Sequence, residues 1–264
     1  MLKLCHLCKT FNPGTVNEKK VLDDLNLRLA PGDFATIIGS NGAGKSTLFG
    51  AIAGDFLPDS GAILLDGEDI SLLPGHRRAK TIGRLFQDPM RGSAPGMSIE
   101  ENLALAAGGS WFSPIGREEK ARFRELLAQL GMGLEERMKQ PVGLLSGGQR
   151  QALALMMATI VPPKLLLLDE HTAALDPAAA QKVLEITREV VARHSITTLM
   201  VTHNMENALE LGNRTLMMDG GRIVLDVSEP ERRGLTVSDL LERFRAGAGK
   251  NLDSDRILLE REGR

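Results

Sequence analysis

The sequence predicts an α/β fold with a parallel-sheet core, an N-terminal antiparallel β subdomain and an inserted helical subdomain. Short apolar runs such as DFATIIG (33–39) and KLLLLDE (164–170) are typical of buried parallel strands. Helical patterns alternate with these runs, which favours a parallel sheet with right-handed crossovers. Residues 98–160 instead carry consecutive helical patterns, which indicates a helical insertion in the α/β core.

The first elements are strands that precede and follow one helix. Residues 1–30 alternate weakly and predict antiparallel strands joined by the NPGTVNEKK loop. A buried strand follows at 33–39, and KSTLFGAIAG (45–54) predicts a helix stopped by Gly54. SGAILLDGEDI predicts a hairpin, and TIGRLFQ (81–87) predicts another strand.

The inserted segment has two helix-start signals of the same kind. Ser98 with Glu101, before an apolar run, predicts a capping box, and Ser146 with Gln149 repeats the pattern ahead of GQRQALALMMATIV. Between them, REEKARFRELLAQLG predicts an amphipathic helix that ends at Gly131.

The α/β pattern then resumes. We expect a strand at 164–170, a helix with Pro177 in its first turn, a strand at 196–203 and a short helix in NMENALELG. RTLMMDGGRIVLD predicts a hairpin around Gly220-Gly221, and TVSDLLERF predicts a last helix. We therefore expect one domain at 1–245, with a core at about 1–90 and 161–228, a helical subdomain at about 91–160 and a polar tail at 246–264.

Composition excludes several classes of function. The chain has 264 residues, 42% hydrophobic and 25% charged, and a net charge of −2. This near-neutral charge gives no support to non-specific nucleic-acid binding. The N-terminus lacks the apolar stretch of a signal peptide, and the longest apolar runs are far shorter than the roughly 20 residues of a membrane span. We expect a soluble chain whose membrane role, if any, comes through a partner.

The two cysteines form a C-x-x-C motif, Cys5 and Cys8, in the first predicted strand. Zinc binding or redox chemistry is one interpretation, but there is no second pair. Residues three apart on a regular strand point to opposite faces. Two reduced thiols are the favoured interpretation.

The segment GSNGAGKST is a P-loop pattern, G-x-x-x-x-G-K-S, placed between a predicted strand and a predicted helix. Glycines allow backbone N–H groups to surround phosphate oxygens, and the helix N-terminus adds positive potential. Lys45 can reach the β- and γ-phosphates, and the Ser46 hydroxyl can bind Mg²⁺. A glycine-rich turn without a ligand is the alternative, which the strand–helix context disfavours. The predicted ATP-binding residues are Gly39, Ser40, Asn41, Gly42, Ala43, Gly44, Lys45, Ser46 and Thr47.

Four polar side chains follow or end predicted core strands. Asp169 is the expected Mg²⁺ partner, and Glu170, on the other face of the strand, is the expected general base for water. His203 is placed to contact the γ-phosphate, although a single histidine is more often structural. Gln87 can contact Mg²⁺ or the attacking water. Because open α/β sheets bind ligands at the carboxyl ends of their strands, we expect these groups to act together.

These motifs, in this order, resemble the nucleotide-binding subunit of ABC (ATP-binding cassette) transporters. The resemblance rests on GSNGAGKST, Gln87, LSGGQ, LLLLDE, AALD and His203, and it covers roughly residues 1–245. It implies a P-loop NTPase (RecA-like) core with an ABC helical subdomain. It also implies that Phe11 stacks on adenine, with core packing as the alternative. His171 stands where the family often has proline, outside the phosphate chemistry.

The resemblance also implies a homodimer in which two chains pack head to tail. The signature of one chain would then bind the γ-phosphate of ATP held by the other chain's P-loop, which explains why one chain has two anion sites. The trans site comprises Ser146, Gly147, Gly148, Gln149 and Asp176.

The implied function is ATP hydrolysis, with ATP and Mg²⁺, that drives transport through a separate permease. Without a membrane segment, the chain resembles importer subunits that lie at the cytoplasmic face of the plasma membrane. A solute-binding protein and an amino acid-like solute are expected. Trp111 and Phe112 are expected to line the groove for the permease's coupling helix or to pack within the helical subdomain. A non-transport ABC ATPase, for example in iron–sulfur assembly, and a P-loop kinase are the alternatives.

Overall fold

A computed structural model describes residues 1–109 and 114–248 of the chain. Trp111, Phe112 and the predicted polar tail beyond residue 248 lie outside the described residues. The described chain divides into two compact units. Unit 1 contains Met1–Arg78 and the described residues from Leu199 onward, and unit 2 contains Ala79–Thr198.

The strands of the N-terminal region form an antiparallel sheet in unit 1, in the order β2-β1-β4-β5. The strands of the described chain are β1 (Leu2–Phe11), β2 (Lys19–Leu29), β3 (Phe34–Gly39), β4 (Ser60–Leu65), β5 (Glu68–Asp69), β6 (Ile82–Leu85), β7 (Leu165–Asp169), β8 (Thr197–Val201), β9 (Arg214–Asp219) and β10 (Arg222–Ser228). The predicted antiparallel subdomain and the predicted β4–β5 hairpin are confirmed.

Parallel pairing forms the core. In unit 1, β3 pairs in parallel with β9, and β9 pairs antiparallel with β10. In unit 2, β6 pairs in parallel with β7. Residues 34–38 and 165–168 are all buried, which explains why these strands appear in the sequence as uninterrupted apolar runs. The predicted mixed α/β class with a parallel-sheet core is confirmed.

The helices begin where the capping signals predict. They are α1 (Lys45–Ala53), α2 (Gly75–Arg78), α3 (Ile99–Ala106), α4 (Arg117–Ala128), α5 (Gly147–Thr159), α6 (Pro177–His194), α7 (Met205–Glu210) and α8 (Val237–Ala248). Ser98 and Ser146 each form a complete capping box at the start of α3 and α5. Helix α1 ends at Gly54, which has a left-handed φ of +83°, whereas α4 ends at Ala128, before the predicted Gly131.

The β9–β10 hairpin turns at Gly220 and Gly221, whose φ values are +51° and +79°. Positive φ at both positions is the requirement of a type I′ turn, so the glycine pair explains the tight connection. The N–H of Gly221 donates to the carbonyl oxygen of Ala43 at 3.0 Å, and the hairpin thereby supports the P-loop.

Strand β1 is irregular between its two cysteines. His6 has φ +50°, and Leu4 and Leu7 are both fully buried although they are three residues apart. The pairing of β1 with β2 shifts register between these leucines, as a bulge requires. The prediction that Cys5 and Cys8 point to opposite faces assumed a regular strand and is wrong, because each follows one of the two buried leucines. Neither thiol forms a disulfide.

Candidate functional site

The P-loop sequence connects β3 to α1 in unit 1. Gly39 has φ +151° and Gly44 has φ +102°, conformations that favour glycine. A Cβ on Gly39 would lie 2.2 Å from the carbonyl oxygen of Met218, and one on Gly44 would lie 2.7 Å from that of Val21. Neighbouring strands therefore leave no room for side chains at these two positions, so the path of the loop requires glycine at both.

Hydrogen bonds hold the loop from both sides. The N–H of Ala43 donates to the carbonyl oxygen of Ser40 at 3.2 Å, which closes a turn within the loop. The Ala43 carbonyl in turn accepts from Gly221, whose own carbonyl accepts from the N–H of Asp23 at 3.2 Å. The Ser40 hydroxyl lies 3.4 Å from a carboxylate oxygen of Asp219.

Lys45 begins α1 and is only 6% exposed. Its Nζ donates to the carbonyl oxygens of Gly39 at 2.6 Å and Ser40 at 2.9 Å, so its ammonium group lies over the loop. Gly44, the N-cap residue of α1, has no side chain that could cap the helix. A helix start without a side-chain cap can turn its first N–H groups toward an anion.

The other P-loop residues differ in exposure. Asn41, Gly42 and Ser46 are exposed, and Thr47 is half-buried. Lys19 on β2 also approaches the loop, with its Nζ 3.7 Å from where a Cβ on Gly42 would lie. Lys19 carries no signal in the sequence that marks it as a site residue, since only the fold brings β2 beside the P-loop.

Phe11 ends β1 opposite Lys19 and is half-buried. Its ring makes an edge contact with that of Phe56, with centroids 5.4 Å apart and planes at 77°. Lys9 Nζ lies 5.7 Å from one centroid and 5.4 Å from the other, and it donates to Asp59 at 2.7 Å. That hydrogen bond lowers the pKa of the Asp59 carboxyl. Phe11 thus has a supported but partly open ring, as a stacking platform needs.

His203 lies beyond the end of β8 and is exposed. The N–H of the preceding Thr202 donates to the carbonyl oxygen of Ile37 on β3 at 3.1 Å. The next residue, Asn204, caps α7 with its side chain. His203 is therefore fixed between a hydrogen bond to β3, the strand that leads into the P-loop, and a capped helix start.

In unit 2, Asp169 ends β7 as predicted. Arg84 on the paired strand β6 places Nη2 3.8 Å from Asp169 Oδ2, and both side chains are 15% exposed. The Arg84 guanidinium also stacks 4.6 Å from the ring centroid of Phe86. Arg84 is not among the predicted site residues, and its only signal in the sequence is a charge inside an apolar strand.

Glu170 follows β7 with φ +45°, so it lies outside the strand, and the predicted orientation on the strand's other face does not apply. The following residue, His171, is 1% exposed, with Nε2 3.2 Å from Thr187 Oγ1 on α6. Burial lowers the pKa of His171 to about 4, so the imidazole is neutral at physiological pH.

Gln87 is exposed and lies past the end of β6 at Leu85, not within the strand as predicted. The buried Gln151 on α5 donates through Nε2 to the carbonyl oxygen of Phe86 at 3.3 Å. Asp88 caps the 3-10 turn at Pro89–Gly92. The side chain of Gln87 is thus exposed, while hydrogen bonds hold the residues on either side of it, Phe86 and Asp88.

The signature forms the start of α5. Ser146 Oγ accepts from the N–H of Gln149 at 3.3 Å, while Gln149 Oε1 accepts from the N–H of Ser146 at 3.2 Å. Gln149 Nε2 donates to the carbonyl oxygen of Met132. The bond that Ser146 Oγ accepts leaves its hydrogen to donate, whereas both ends of the Gln149 side chain have partners in their own chain.

Intrachain packing explains the signature glycines. A Cβ on Gly148 would lie 2.9 Å from the Cβ of Ala179, and one on Gly147 would lie 3.1 Å from Leu175 Cδ2. Asp176 caps α6, its carboxylate accepting from the N–H of Ala179 at 3.0 Å. The start of α6 therefore packs directly against the start of α5.

Each unit contains oxygen donors of the kind that Mg²⁺ prefers. Ser46 in unit 1, and Gln87 and Asp169 in unit 2, offer hydroxyl, amide and carboxylate oxygens, the hard ligands that Mg²⁺ prefers. Within the described ranges, no group of three or more His, Cys, Asp or Glu side chains could enclose a metal. Mg²⁺ commonly uses one or two protein carboxylates together with phosphates and water, so this donor set fits it.

The candidate residues fall into two sets. Unit 1 contains the P-loop, Phe11 and His203, and unit 2 contains Gln87, Asp169, Glu170, the signature and Asp176. A P-loop sequence in a curved, glycine-rich turn between a buried strand and a helix is typical of the class of P-loop ATPases. In the part of the chain that the structure describes, no helix is both long and apolar enough to cross a membrane.

Known proteins narrow this class to a family. A family model described as "ABC transporter" matches residues 22–173. A tyrosine transport ATP-binding protein of Clostridioides difficile is 41% identical over 247 residues, which are 92% of this chain and 98% of that protein. A methionine import ATP-binding protein of Corynebacterium efficiens is 36% identical over 97% of this chain and 71% of its own length.

Solved structures agree with the sequence relatives. The dimeric ATP-binding cassette MJ0796, in a post-hydrolysis state with ADP and Pi, superposes with a TM-score of 0.75 at 27% identity, over 89% of this chain and 100% of that one. CbiO1 from Clostridium perfringens, part of an ABC transporter complex, gives 0.74 at 28% identity over 99% and 98%. This chain belongs to the ABC transporter family as an ATP-binding subunit, an ATPase coupled to transport.

Proposed function

We propose that this chain energises uptake of an amino acid-like solute through a separate permease. The observation that carries the proposal is that one chain contains two helix starts of different construction, α1 without a side-chain cap and α5 capped by Ser146. A two-fold dimer would bring one of each kind to every nucleotide. The resemblance over nearly the whole length of a tyrosine transport subunit supports the solute class.

The first half of each proposed site comes from one chain. P-loop N–H groups and Lys45 bind the phosphates of ATP, while Phe11 stacks on adenine. Ser46, Gln87 and Asp169 would hold Mg²⁺, which neutralises phosphate charge when it is bound.

Two further residues of the same chain act on the reacting phosphate. Glu170 orients and polarises the attacking water as general base. His203 donates a hydrogen bond to the γ-phosphate. Both functions are strengthened when bulk water, other than the attacking molecule, is excluded around the γ-phosphate, which dimer closure would provide.

The second half comes from the partner chain. The Ser146 hydroxyl and the first N–H groups of α5, at Gly147 and Gly148, bind the γ-phosphate of the other chain's ATP. Gln149 supports this helix start through its capping bond to Ser146, and Asp176 lies at the interface between chains. The γ-phosphate thus bridges the dimer, and its hydrolysis releases the bridge. ATP closes the dimer because it binds the closed state better than the open state.

The dimer would act at the cytoplasmic face of the plasma membrane, held there by the permease. Gln87 and the following loop would pass closure to that permease, and a solute-binding protein would deliver solute from the opposite side. We also propose that residues 1–245 form one functional ABC domain, with 91–160 as its helical subdomain.

Purification followed by reconstitution tests the proposal. The tagged chain is isolated in mild detergent from membranes of its own organism, and the co-purified permease is placed in liposomes with ATP. We expect accumulation of labelled tyrosine only when the solute-binding protein is added, and none with a Glu170→Gln chain. Recovery of soluble partners without a permease would instead support a non-transport ABC ATPase. Accumulation of methionine without tyrosine would change the solute within the proposed class, whereas accumulation of an aliphatic sulfonate and of no amino acid would contradict the class.

A further inference from the structure

The residue after the proposed base is a buried histidine that the nucleotide chemistry leaves unexplained. His171 is 1% exposed, and an imidazole is seldom buried unless it has a partner. Its one hydrogen-bonding contact in the described residues joins Nε2 to Thr187 Oγ1 at 3.2 Å, whereas Nδ1 has no partner there.

The hydrogen-bond chain defines which atom donates. Thr187 Oγ1 donates its single hydrogen to the carbonyl oxygen of Val183, one turn earlier on α6, at 2.8 Å. The Thr187 oxygen can therefore only accept from His171, so Nε2 has the proton and Nδ1 does not. His171, in the loop after β7, is therefore the donor, and Thr187, in the middle of α6, is the acceptor.

The backbone before His171 has an unusual conformation. Glu170 has φ +45°, which L-residues other than glycine adopt at a cost in free energy. Its carbonyl oxygen accepts from the N–H of Ala173 at 3.0 Å, which forms a turn immediately after the strand. The direction of the Glu170 carboxylate therefore depends on what holds this turn in place.

Helix α6 is a firm support for that turn. It runs from Pro177 to His194, with its start capped by Asp176 and packed against Gly148. A side chain bonded to Thr187 is consequently fixed to the same helix that supports the signature.

We propose that His171 is a positioning residue, which fixes the Glu170 turn to α6 by donating from Nε2 to Thr187. The inference rests on the proposed role of Glu170 as general base. His171 contacts no phosphate in this account and acts only through its neighbour. A misplacement of a catalytic group by about 1 Å can reduce turnover about 100-fold, so the anchor affects kcat more than ATP binding.

Paired substitutions test the bond. Gln at position 171 can place an amide N–H near the Nε2 position, whereas Asn reaches only the Nδ1 position and Leu donates nothing. We expect His171→Gln to stay within about threefold of the wild-type kcat, and His171→Asn and His171→Leu to lose about 10- to 100-fold, with the Kd for ATP changed less than about twofold. On the other side of the bond, Thr187→Val should lose as much as His171→Leu, and Thr187→Ser should retain activity.

Thr159→Val is the matched control. Thr159 is also buried, and its hydroxyl also donates to a carbonyl oxygen one turn earlier, that of Leu155, at 2.8 Å. Unlike Thr187, it accepts no hydrogen bond from a histidine among the described residues. Its substitution should leave kcat unchanged. Far-UV circular dichroism and thermal unfolding identify variants that do not fold, and the His171→Gln and Thr187→Ser pair then decides the result.

The outcomes separate the two proposals. Wild-type kcat in folded His171→Leu, equal losses in His171→Gln and His171→Leu, or an equal loss in Thr159→Val would each overturn the positioning role. If instead Glu170→Gln hydrolyses ATP as fast as wild type, the proposed base is wrong and the inference fails with it.

Discussion

The two helix starts that the proposed site uses, α1 at the P-loop and α5 at the signature, are built in opposite ways. Helix α1 follows Gly44, has no side-chain cap and lies beside the buried ammonium of Lys45. Helix α5 has a full capping box in which Ser146 and Gln149 satisfy each other's backbone. The start of α1 therefore has no side-chain cap, whereas the start of α5 is capped by its own residues and offers the Ser146 hydroxyl hydrogen beside the N–H groups of Gly147 and Gly148. Such a difference fits a nucleotide that binds one chain first and recruits the second chain afterwards.

The glycines at the two helix starts are also required for different reasons. Gly39 and Gly44 are required by backbone conformation, since each has a φ that favours glycine. Gly147 and Gly148 have ordinary helical geometry and are required by packing against the start of α6. Substitutions can therefore separate the two kinds of site.

The largest expected effect is at the P-loop. Lys45→Met removes a charge-assisted donor, and we expect ATP binding by a single chain to weaken about 100-fold, or about 3 kcal/mol. Isothermal titration with the purified chain measures this. Lys20→Met is the control, because Lys20 is exposed and paired with Asp23. Unchanged affinity in Lys45→Met would show that the P-loop lysine is not a phosphate ligand.

At the signature, Ser146→Asp separates capping from phosphate binding. Asp caps helices as well as Ser does, so stability should change by less than about 0.5 kcal/mol. The carboxylate would repel the partner's γ-phosphate, and we expect kcat to fall at least about 30-fold while a single chain still binds ATP. Ser98→Asp adds the same charge at the start of α3, where it lies beside Glu101, and variants that keep their fold should hydrolyse ATP normally. Normal turnover in Ser146→Asp would contradict the trans role of Ser146.

Acidification should weaken the unit that contains the signature. Burial lowers the pKa of His171 from 6.5 to about 4, so the unfolded chain binds more protons than the folded one between these values. The contribution of His171 to the free energy of unfolding is therefore fully present above pH 6.5 and is lost as the pH falls toward 4. We expect a loss of about 2 kcal/mol between pH 7 and pH 5, measured by urea unfolding, and a smaller loss in His171→Gln. Equal losses in both proteins would argue against a buried neutral imidazole.

The smallest effect concerns the signature glycines. Gly148→Ala would force a Cβ to within 2.9 Å of the Ala179 Cβ, and we expect a destabilisation of about 1 kcal/mol even in a single chain. In Gly147→Ala the clash is with a flexible leucine end, and the gain in helix propensity offsets it. Ala179→Gly should restore the stability of Gly148→Ala. If Gly148→Ala is as stable as wild type, packing is not what requires this glycine.

Features encoded by neighbouring residues were predictable from the sequence. The capping boxes at Ser98 and Ser146, the helix stop at Gly54 and the Gly220-Gly221 turn each depend on a few adjacent side chains. The motif spacing also predicted the family.

Contacts between distant segments were not predictable. Arg84 reaches Asp169, Phe56 supports Phe11, and His171 reaches Thr187 only after the chain folds. The bulge at His6 likewise depends on pairing between β1 and β2, which the alternation of a single strand cannot reveal.

The most direct test is the mass of the Glu170→Gln chain in solution, measured by light scattering with ATP and Mg²⁺ and again with ADP. The account predicts twice the 28.6 kDa chain mass with ATP, the single-chain mass with ADP, and loss of the ATP-induced dimer when Ser146→Asp is added. A Glu170→Gln chain that binds ATP and remains at the single-chain mass would contradict the shared site.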